Sequence, residues 1–235
     1  MSSSRKALPY GANRSATASL DGFAKPIKLS WVDLYLSADP NERRAGVGML
    51  AHESGHALLP FSHDLYGCAT PYPLGAYSIM GGNQSEPWHL DPFIKLKTGM
   101  VKPQLFNIPT WQTGTVSLAA VESRREIIIL HDPRCGDREY FILEYRWGDG
   151  PTLYDSGLPD VIVVWHVFED RELAVATRPP GSECGEWVNS MRRIKLLTAP
   201  SASIDLTWSD GTPTGLRITN AVVGGEVARV DITRF

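Results

Sequence analysis

The stretches REYFILEYR at residues 138–146 and DVIVVWHVF at residues 160–168 decide the fold class of this chain. Both are rich in β-branched and aromatic residues, and both have the length of a strand. The apolar runs at their centres, YFIL and VIVVW, are continuous enough for both segments to lie in a hydrophobic core. The sequence therefore predicts two adjacent core strands in the second half of the chain.

Further short β-branched runs, separated by turn signals, surround these two strands from about residue 104 onward. The predicted strands are residues 115–121, 126–131, 139–146, 161–168, 194–198, 204–208, 216–223 and 227–233. Seven or eight strands at this spacing, with little helix between them, are typical of a β-sandwich. We therefore assign residues 104–235 to an antiparallel β-sandwich domain.

Residues 39–59 carry a clear helix signal. Asp39 is a candidate N-cap, Pro40 occupies the first helical position and Glu42 falls at the third, which together form a capping box with the favoured proline. Pro60 ends the helix. The apolar residues predicted to form its buried face are Val47, Met49, Leu50, Leu58 and Leu59.

The rest of the first hundred residues shows weaker patterns. Residues 1–25 are small, polar and aperiodic, and they predict a loose arm. Residues 26–38 fit either a strand or a short helix, and residues 60–88 are typical of a loop. A second, short helix is predicted to begin after Asp91 as its cap and to end near Gly99.

The composition is that of an ordinary globular protein, with 43% hydrophobic and 21% charged residues. A formal net charge of −3 argues against a nucleic-acid-binding surface. No apolar run is long enough for a transmembrane helix, and the first residues contain no signal-peptide core. The three cysteines, Cys68, Cys135 and Cys184, include no CxxC pair, which argues against a cysteine zinc site.

The segment HESGH at residues 52–56 lies within the predicted helix and matches the pattern HExxH. Residues four apart share one helix face, so His52 and His56 can direct two imidazoles at one metal ion. Zinc lowers the pKa of a bound water toward neutrality, and Glu53 can take the proton as hydroxide attacks a carbonyl. The pattern predicts a Zn²⁺ site; the alternative is a chance match, expected in roughly one chain per hundred.

A catalytic zinc ion needs three protein ligands and one open position. His63 and Asp64 follow the proline that ends the helix, and either of them can supply the third ligand. Further along, residues 77–81 read YSIMG. This segment resembles the methionine-bearing turn that lies beneath the zinc ion in the metzincin clan of peptidases.

In their order, these motifs resemble the immune-inhibitor-A-like zinc metallopeptidases. GMLAHESGHALLPFSHDLYG, GAYSIMGG and HLDPFIKLKTGM are similar to the end of that family's catalytic domain. REYFILEYR, DSGLPDVIVVWHV and WSDGTPTGLRITN are similar to the β-rich region that follows it. The resemblance covers residues 45–235. It implies an α+β protein in which residues 1–103 form the C-terminal part of a metzincin-like catalytic domain (zinc helix, methionine turn and second helix), followed by the β-sandwich.

The resemblance also implies a role for each matching residue. His52, His56 and Asp64 would be the zinc ligands, Glu53 the general base, and Met80 the structural methionine of the turn. The family further implies secretion and a protein or peptide substrate. We therefore expect a zinc-dependent endopeptidase that hydrolyses peptide bonds by glutamate-assisted attack of zinc-bound water.

Two departures from the family pattern bear on this expectation. Leu59 stands where the family has a glycine, and the segment that follows is longer, which makes His63 a rival of Asp64 as the third ligand. Few residues precede the zinc helix, so most of the N-terminal half of the catalytic domain is expected to be missing. Because that half binds substrate, a catalytically inactive, peptidase-derived binding protein and a β-sandwich interaction module are the alternative functions.

Polar residues within the predicted core strands are further candidates. Glu144 and His166 need partners if they are buried. They are expected to pair with each other or, with Asp155 or Asp160, to bind Ca²⁺, and a structural ion pair or hydrogen bond is the favoured interpretation. Tyr77, in the methionine-bearing turn, is a candidate to stabilise an oxyanion.

Overall fold

The computed structural model describes residues 11–20, 23–32, 39–59, 77–81, 88–136, 138–148, 150, 155, 157–169, 192–197 and 202–235. In these ranges the helices are α1 (Pro40–Leu58), α2 (Pro92–Lys97) and α3 (Val121–Arg124), with 3-10 turns at Ile79–Gly81 and Ile108–Thr110. The strands are β1 (Gly11–Leu20), β2 (Phe23–Val32), β3 (Lys102–Asn107), β4 (Gly114–Ala119), β5 (Glu126–His131), β6 (Glu139–Arg146), β7 (Val161–Phe168), β8 (Arg192–Leu197), β9 (Ile204–Thr207), β10 (Pro213–Val222) and β11 (Val227–Arg234). The predicted α+β class is confirmed.

The strands form two large sheets and a separate hairpin. One sheet has four antiparallel strands in the order β4-β11-β10-β9. The other has five strands in the order β3-β5-β6-β7-β8, in which only the pair β3 and β5 is parallel. Strands β1 and β2 form an antiparallel hairpin that lies beside α1.

The two large sheets are joined by a hydrophobic core that draws on alternate residues of several strands. In β6 these residues are Phe141, Leu143 and Tyr145, and they share one buried cluster with Leu118 of β4 and Ile218 of β10. This pairing of two mostly antiparallel sheets corresponds to the predicted sandwich.

The opposite face of the five-stranded sheet is buried as well. Tyr140 and Ile142 of β6 belong to a second core, together with Ile79, Met80 and Phe93 from the helical part of the chain. Because β6 is covered on both faces, all eight of its residues are buried, and apolar residues occur in both of its alternating sets. The five-stranded sheet is the middle layer between the four-stranded sheet and the helical part.

Local sequence signals locate most elements well. Strands β5, β6 and β7 have the bounds predicted for them. Helices α1 and α2 follow their predicted caps: the Asp39 carboxylate accepts a hydrogen bond from the Asn41 N–H at 2.9 Å, and the Asp91 carboxylate accepts one from the Ile94 N–H at 3.1 Å. The predicted domain boundary at residue 103 lies inside β3, and the second core contains residues from both sides of it.

The predicted loose arm over residues 1–25 is wrong, because residues 11–20 pair with residues 23–32 as the β1–β2 hairpin. For residues 26–38 a strand or a short helix was predicted, and the described residues 26–32 lie in strand β2. Ser, Thr and Ala dominate β1, so its sequence has little hydrophobic alternation. The short strand β3 is also absent from the sequence prediction, because four of its six residues are exposed.

The predicted buried face of α1 is wrong as well. Val47 is 54% exposed and Leu58 is 80% exposed. The helix instead buries three glycines and two ionisable residues, which are Gly46, Gly48, His52, Glu53 and Gly55. Close packing against glycine, rather than an apolar stripe, therefore holds α1 in place.

A steric prediction follows at Gly148, just after β6. A Cβ atom added there would lie 1.7 Å from the Leu158 carbonyl oxygen, a backbone atom that cannot move aside cheaply. Gly148→Ala is expected to lower the free energy of unfolding by about 1–3 kcal/mol, measured by urea denaturation. Gly114→Ala is the control, because the nearest atom to its Cβ is 3.9 Å away. Equal stability of the two variants would contradict the prediction.

Candidate metal centre

Helix α1 places both histidines of the HESGH segment on one side. His52 is completely buried, Glu53 is buried, and His56 is half-buried. The His52 and His56 rings lie 4.7 Å apart, centre to centre, and are nearly perpendicular. This is the arrangement expected for residues four apart on a helix.

The two imidazoles turn the same type of nitrogen toward each other. The Nε2 atoms of His52 and His56 are 3.1 Å apart. His52 Nδ1 lies 2.8 Å from the Ile79 carbonyl oxygen, which can only accept a hydrogen bond. Nδ1 of His52 therefore carries the proton, and its Nε2 presents a lone pair toward His56.

These nitrogens fit a zinc ion. Two nitrogen ligands of a tetrahedral zinc, each at about 2.0–2.1 Å from the metal, lie about 3.3 Å apart. The observed 3.1 Å is close to that separation, and the backbone carbonyl of Ile79 is the kind of partner that orients a ligating histidine. In the metal-free chain the same contact serves as an N–H···N hydrogen bond. The predicted third ligands, His63 and Asp64, lie outside the described residues.

The turn at residues 77–81, called here the methionine turn, packs directly under the helix. Met80 is completely buried. A Cβ atom at Gly55 would lie 2.9 Å from the Met80 sulfur, so a larger residue requires the buried Met80 side chain to shift. The methionine turn therefore supports α1 at the residue preceding His56.

Gly55→Val is expected to force α1 and Met80 apart. Its cost in the free energy of unfolding is about 1–3 kcal/mol, typical of an overpacked core position. Ala51→Val on the same helix is the matched control, because Ala51 is exposed and its replacement by valine costs only about 0.5 kcal/mol in helix propensity. Urea denaturation of both variants checks this, and an equal loss in the two would refute the close contact.

Hydrogen bonds to neighbouring segments fix the methionine turn. The Ser78 hydroxyl donates to the Asp91 carboxylate at 2.9 Å, and the Met80 N–H donates to the Ser78 oxygen at 3.2 Å. The Ile79 N–H donates to the His89 carbonyl at 3.0 Å. The N-cap of α2 is thus also a support of the turn that holds His52.

Arg146, from the middle layer, completes this support. Its guanidinium is completely buried and donates to the Tyr77 and Leu90 carbonyl oxygens, each at 3.0 Å. It also donates to the carboxylates of Glu144 and Asp155, each at 2.7 Å. One side chain therefore connects β6 to the methionine turn and to the segment that precedes α2.

The charges around Arg146 are buried but compensated. Lys95 of α2 is paired with Glu144 at 2.8 Å. Burial alone would lower the pKa of Arg146, but the Asp155 and Glu144 carboxylates raise it above its usual value. Burial would raise the pKa of Asp155, and the Arg146 cation instead holds it below its usual range. Arg146 and Asp155 therefore form a buried ion pair in which each partner favours the charged form of the other. Burial lowers the pKa of Lys95.

The predicted pair of Glu144 and His166 does not form. Glu144 has Lys95 and Arg146 as partners, whereas the His166 Nε2 lies 2.6 Å from the Glu139 carboxylate. The register pairs Phe141 with His166, so these two side chains lie on the same face of the sheet. Glu144 is three residues after Phe141, and because side chains alternate along a strand it lies on the opposite face. The favoured interpretation as structural ion pairs or hydrogen bonds agrees with these contacts, although the partners differ.

Sequence reasoning missed the Arg146 cluster. Its one signal was an arginine at the end of a nearly continuous apolar strand, a position where a buried charge needs partners. Tyr77 is placed in the second core and is 8% exposed, with its pKa raised by burial. This burial counts against the predicted contact between its hydroxyl and an oxyanion.

A scan against protein-family models and searches of curated proteins and of solved structures gave no match. In the described part of the chain, no helix is both long and apolar enough to cross a bilayer.

Proposed function

We propose that this protein is a zinc-dependent endopeptidase whose metal is held by His52 and His56. The observation that carries the proposal is the 3.1 Å approach of the two Nε2 atoms, with His52 oriented by the Ile79 carbonyl of the methionine turn. A chance HExxH match has no reason to produce this orientation. Asp64 is the proposed third ligand, with His63 as its rival, and the family resemblance is the argument for secretion.

The proposed mechanism assigns Glu53 the proton transfers. A zinc ion at these ligands supplies Lewis acidity, which polarises a peptide carbonyl and lowers the pKa of water. Glu53 follows His52 on α1 and is buried, so its carboxylate is shielded from bulk solvent. It takes a proton from the attacking water and passes it to the leaving amine.

A catalytically inactive, peptidase-derived binding protein is the second candidate. Among the described residues before α1, the structure has only the two-stranded β1–β2 hairpin beside the helix. A single hairpin offers little wall for an extended peptide, and substrate positioning supplies much of an enzyme's rate. This candidate keeps the zinc site but predicts no peptide hydrolysis.

Zinc content is the first test of the proposed function. His52→Ala is expected to lower the zinc content of the purified protein by one ion per chain, measured by elemental analysis after dialysis. The substitution removes the His52 imidazole and its hydrogen bond to the Ile79 carbonyl. His56 then has no second histidine beside it with which to bind the zinc ion.

His131→Ala is the matched control, because His131 ends β5, far along the chain from HESGH, and is half-buried like His56. It is expected to keep the zinc content of the wild type. Equal zinc content in the wild type and His52→Ala would refute the proposed ligand set.

A further inference from the structure

We propose a second divalent-metal site, formed by His89, Glu122 and Asp155, which binds a transition metal such as Zn²⁺ and joins three separate segments of the chain. Each of these residues offers one ligand atom, and the three atoms all lie within 4.8 Å of one another. Two ligands of a tetrahedral zinc ion lie about 3.3 Å apart, so the three side chains must move inward to close the site.

The Glu122 carboxylate is the observation that points to a ligand. Its side chain is 3% exposed, and neither carboxylate oxygen accepts a hydrogen bond from any described residue. The nearest ionisable group to it is the His89 ring, whose Nε2 lies 3.5 Å away, beyond normal hydrogen-bond distance. Burial lowers the pKa of His89 to about 3, so this ring is neutral near pH 7. A buried carboxylate with unsatisfied oxygens is costly, and a bound cation satisfies both.

The charge balance of this region also accommodates a cation. Glu144 and Asp155 are matched by Lys95 and Arg146, which are all buried and paired with one another. Glu122 is a third carboxylate beside this matched set, so the cluster has one excess negative charge when Glu122 is ionised. Lys95 and Arg146 already favour the ionised form of Glu122, and a divalent metal bound to Glu122 would more than offset the single excess charge.

The chemistry of the ligands selects the kind of metal. One imidazole and two carboxylates suit Zn²⁺ or Mn²⁺ better than Ca²⁺, which prefers oxygen ligands alone. The Asp155 carboxylate oxygens already accept hydrogen bonds from the backbone N–H of His89 and from the Arg146 guanidinium. These bonds fix the orientation of the carboxylate, as hydrogen bonds from outer-shell residues do for metal ligands.

An access path to the site exists. His89 and Glu122 line an open cavity of about 580 Å³, whose other walls include Ala51, Ser54 and Gly55 of α1. Neither His52 nor His56 lines this cavity, so the second site is separate from the proposed zinc centre. A metal at this site would join the segment Trp88–Leu90, helix α3 and Asp155. We therefore infer that the second metal has a structural role.

The test uses the full chain with both histidines of the first centre removed, His52→Ala with His56→Ala. After treatment with a chelator, this double variant is titrated with ZnCl₂ by calorimetry and followed by thermal denaturation. It is expected to bind one zinc per chain and to unfold at a higher temperature when zinc is present. Because the first centre is disabled, the result does not depend on the proposed endopeptidase.

Glu122→Gln, added to the double variant, is expected to weaken zinc binding more than about tenfold and to remove the thermal shift. Its thermal midpoint in chelator reports whether it folds. Glu226→Gln is the matched control, since Glu226 is a half-exposed carboxylate that contacts Arg124 of α3 at 4.0 Å. Failure of the double variant to bind zinc, or equal zinc binding with Gln at position 122, would overturn the proposal.

Discussion

Glu53→Gln is expected to abolish most peptide hydrolysis while the protein keeps its zinc. Glutamine has nearly the same shape as glutamate but cannot take a proton from the attacking water. Loss of a general base lowers kcat by about 10²–10⁴-fold. Because His52 and His56 are untouched, their 3.1 Å approach and the zinc binding proposed for them should be unaffected. Cleavage of a casein substrate and zinc content are measured on the same sample.

The matched control is Glu42→Gln, on the same helix. Glu42 lies in the first turn of α1, and glutamine preserves a capping-box side chain at that position. This variant should therefore cleave casein like the wild type. Unchanged cleavage by Glu53→Gln would contradict the assigned base, whereas a wild type that binds zinc without cleaving casein would support the binding-protein candidate.

Local sequence patterns predicted the strands and helix starts because their causes are local. The caps Asp39 and Asp91 act within three residues of themselves, and their hydrogen bonds are present as expected. The HExxH spacing likewise fixes the side of the helix on which His52 and His56 lie, because helical geometry alone determines it.

The remaining features depend on contacts between distant segments. The exposure of Val47 and Leu58 could not be read from their hydrophobicity, because packing of α1 depends on the fit of Gly55 against Met80. The same holds for Arg146, whose bond to the Tyr77 carbonyl joins residues 69 positions apart. A sequence shows that a buried arginine needs partners, but the sheet and the methionine turn decide which partners meet it.

Arg146→Met is expected to be the most destabilising single change in the described part of the chain, lowering the free energy of unfolding by about 3–5 kcal/mol. Methionine fills a similar volume but leaves Glu144 and Asp155 without their shared cation. The Tyr77 and Leu90 carbonyls lose their donor as well. Urea denaturation of the purified variant measures the loss.

Arg217→Met provides the comparison, because Arg217 forms a solvent-exposed ion pair with Asp205, and exposed ion pairs contribute little to stability because solvent screens them. If both variants lose the same stability, the buried cluster does not hold the fold as argued.

A second measurement separates stability from function: zinc affinity should fall in Arg146→Met and not in Arg217→Met. Arg146 fixes the segment whose Ile79 carbonyl orients His52, so loosening that segment releases the ligand while leaving both histidines in the sequence.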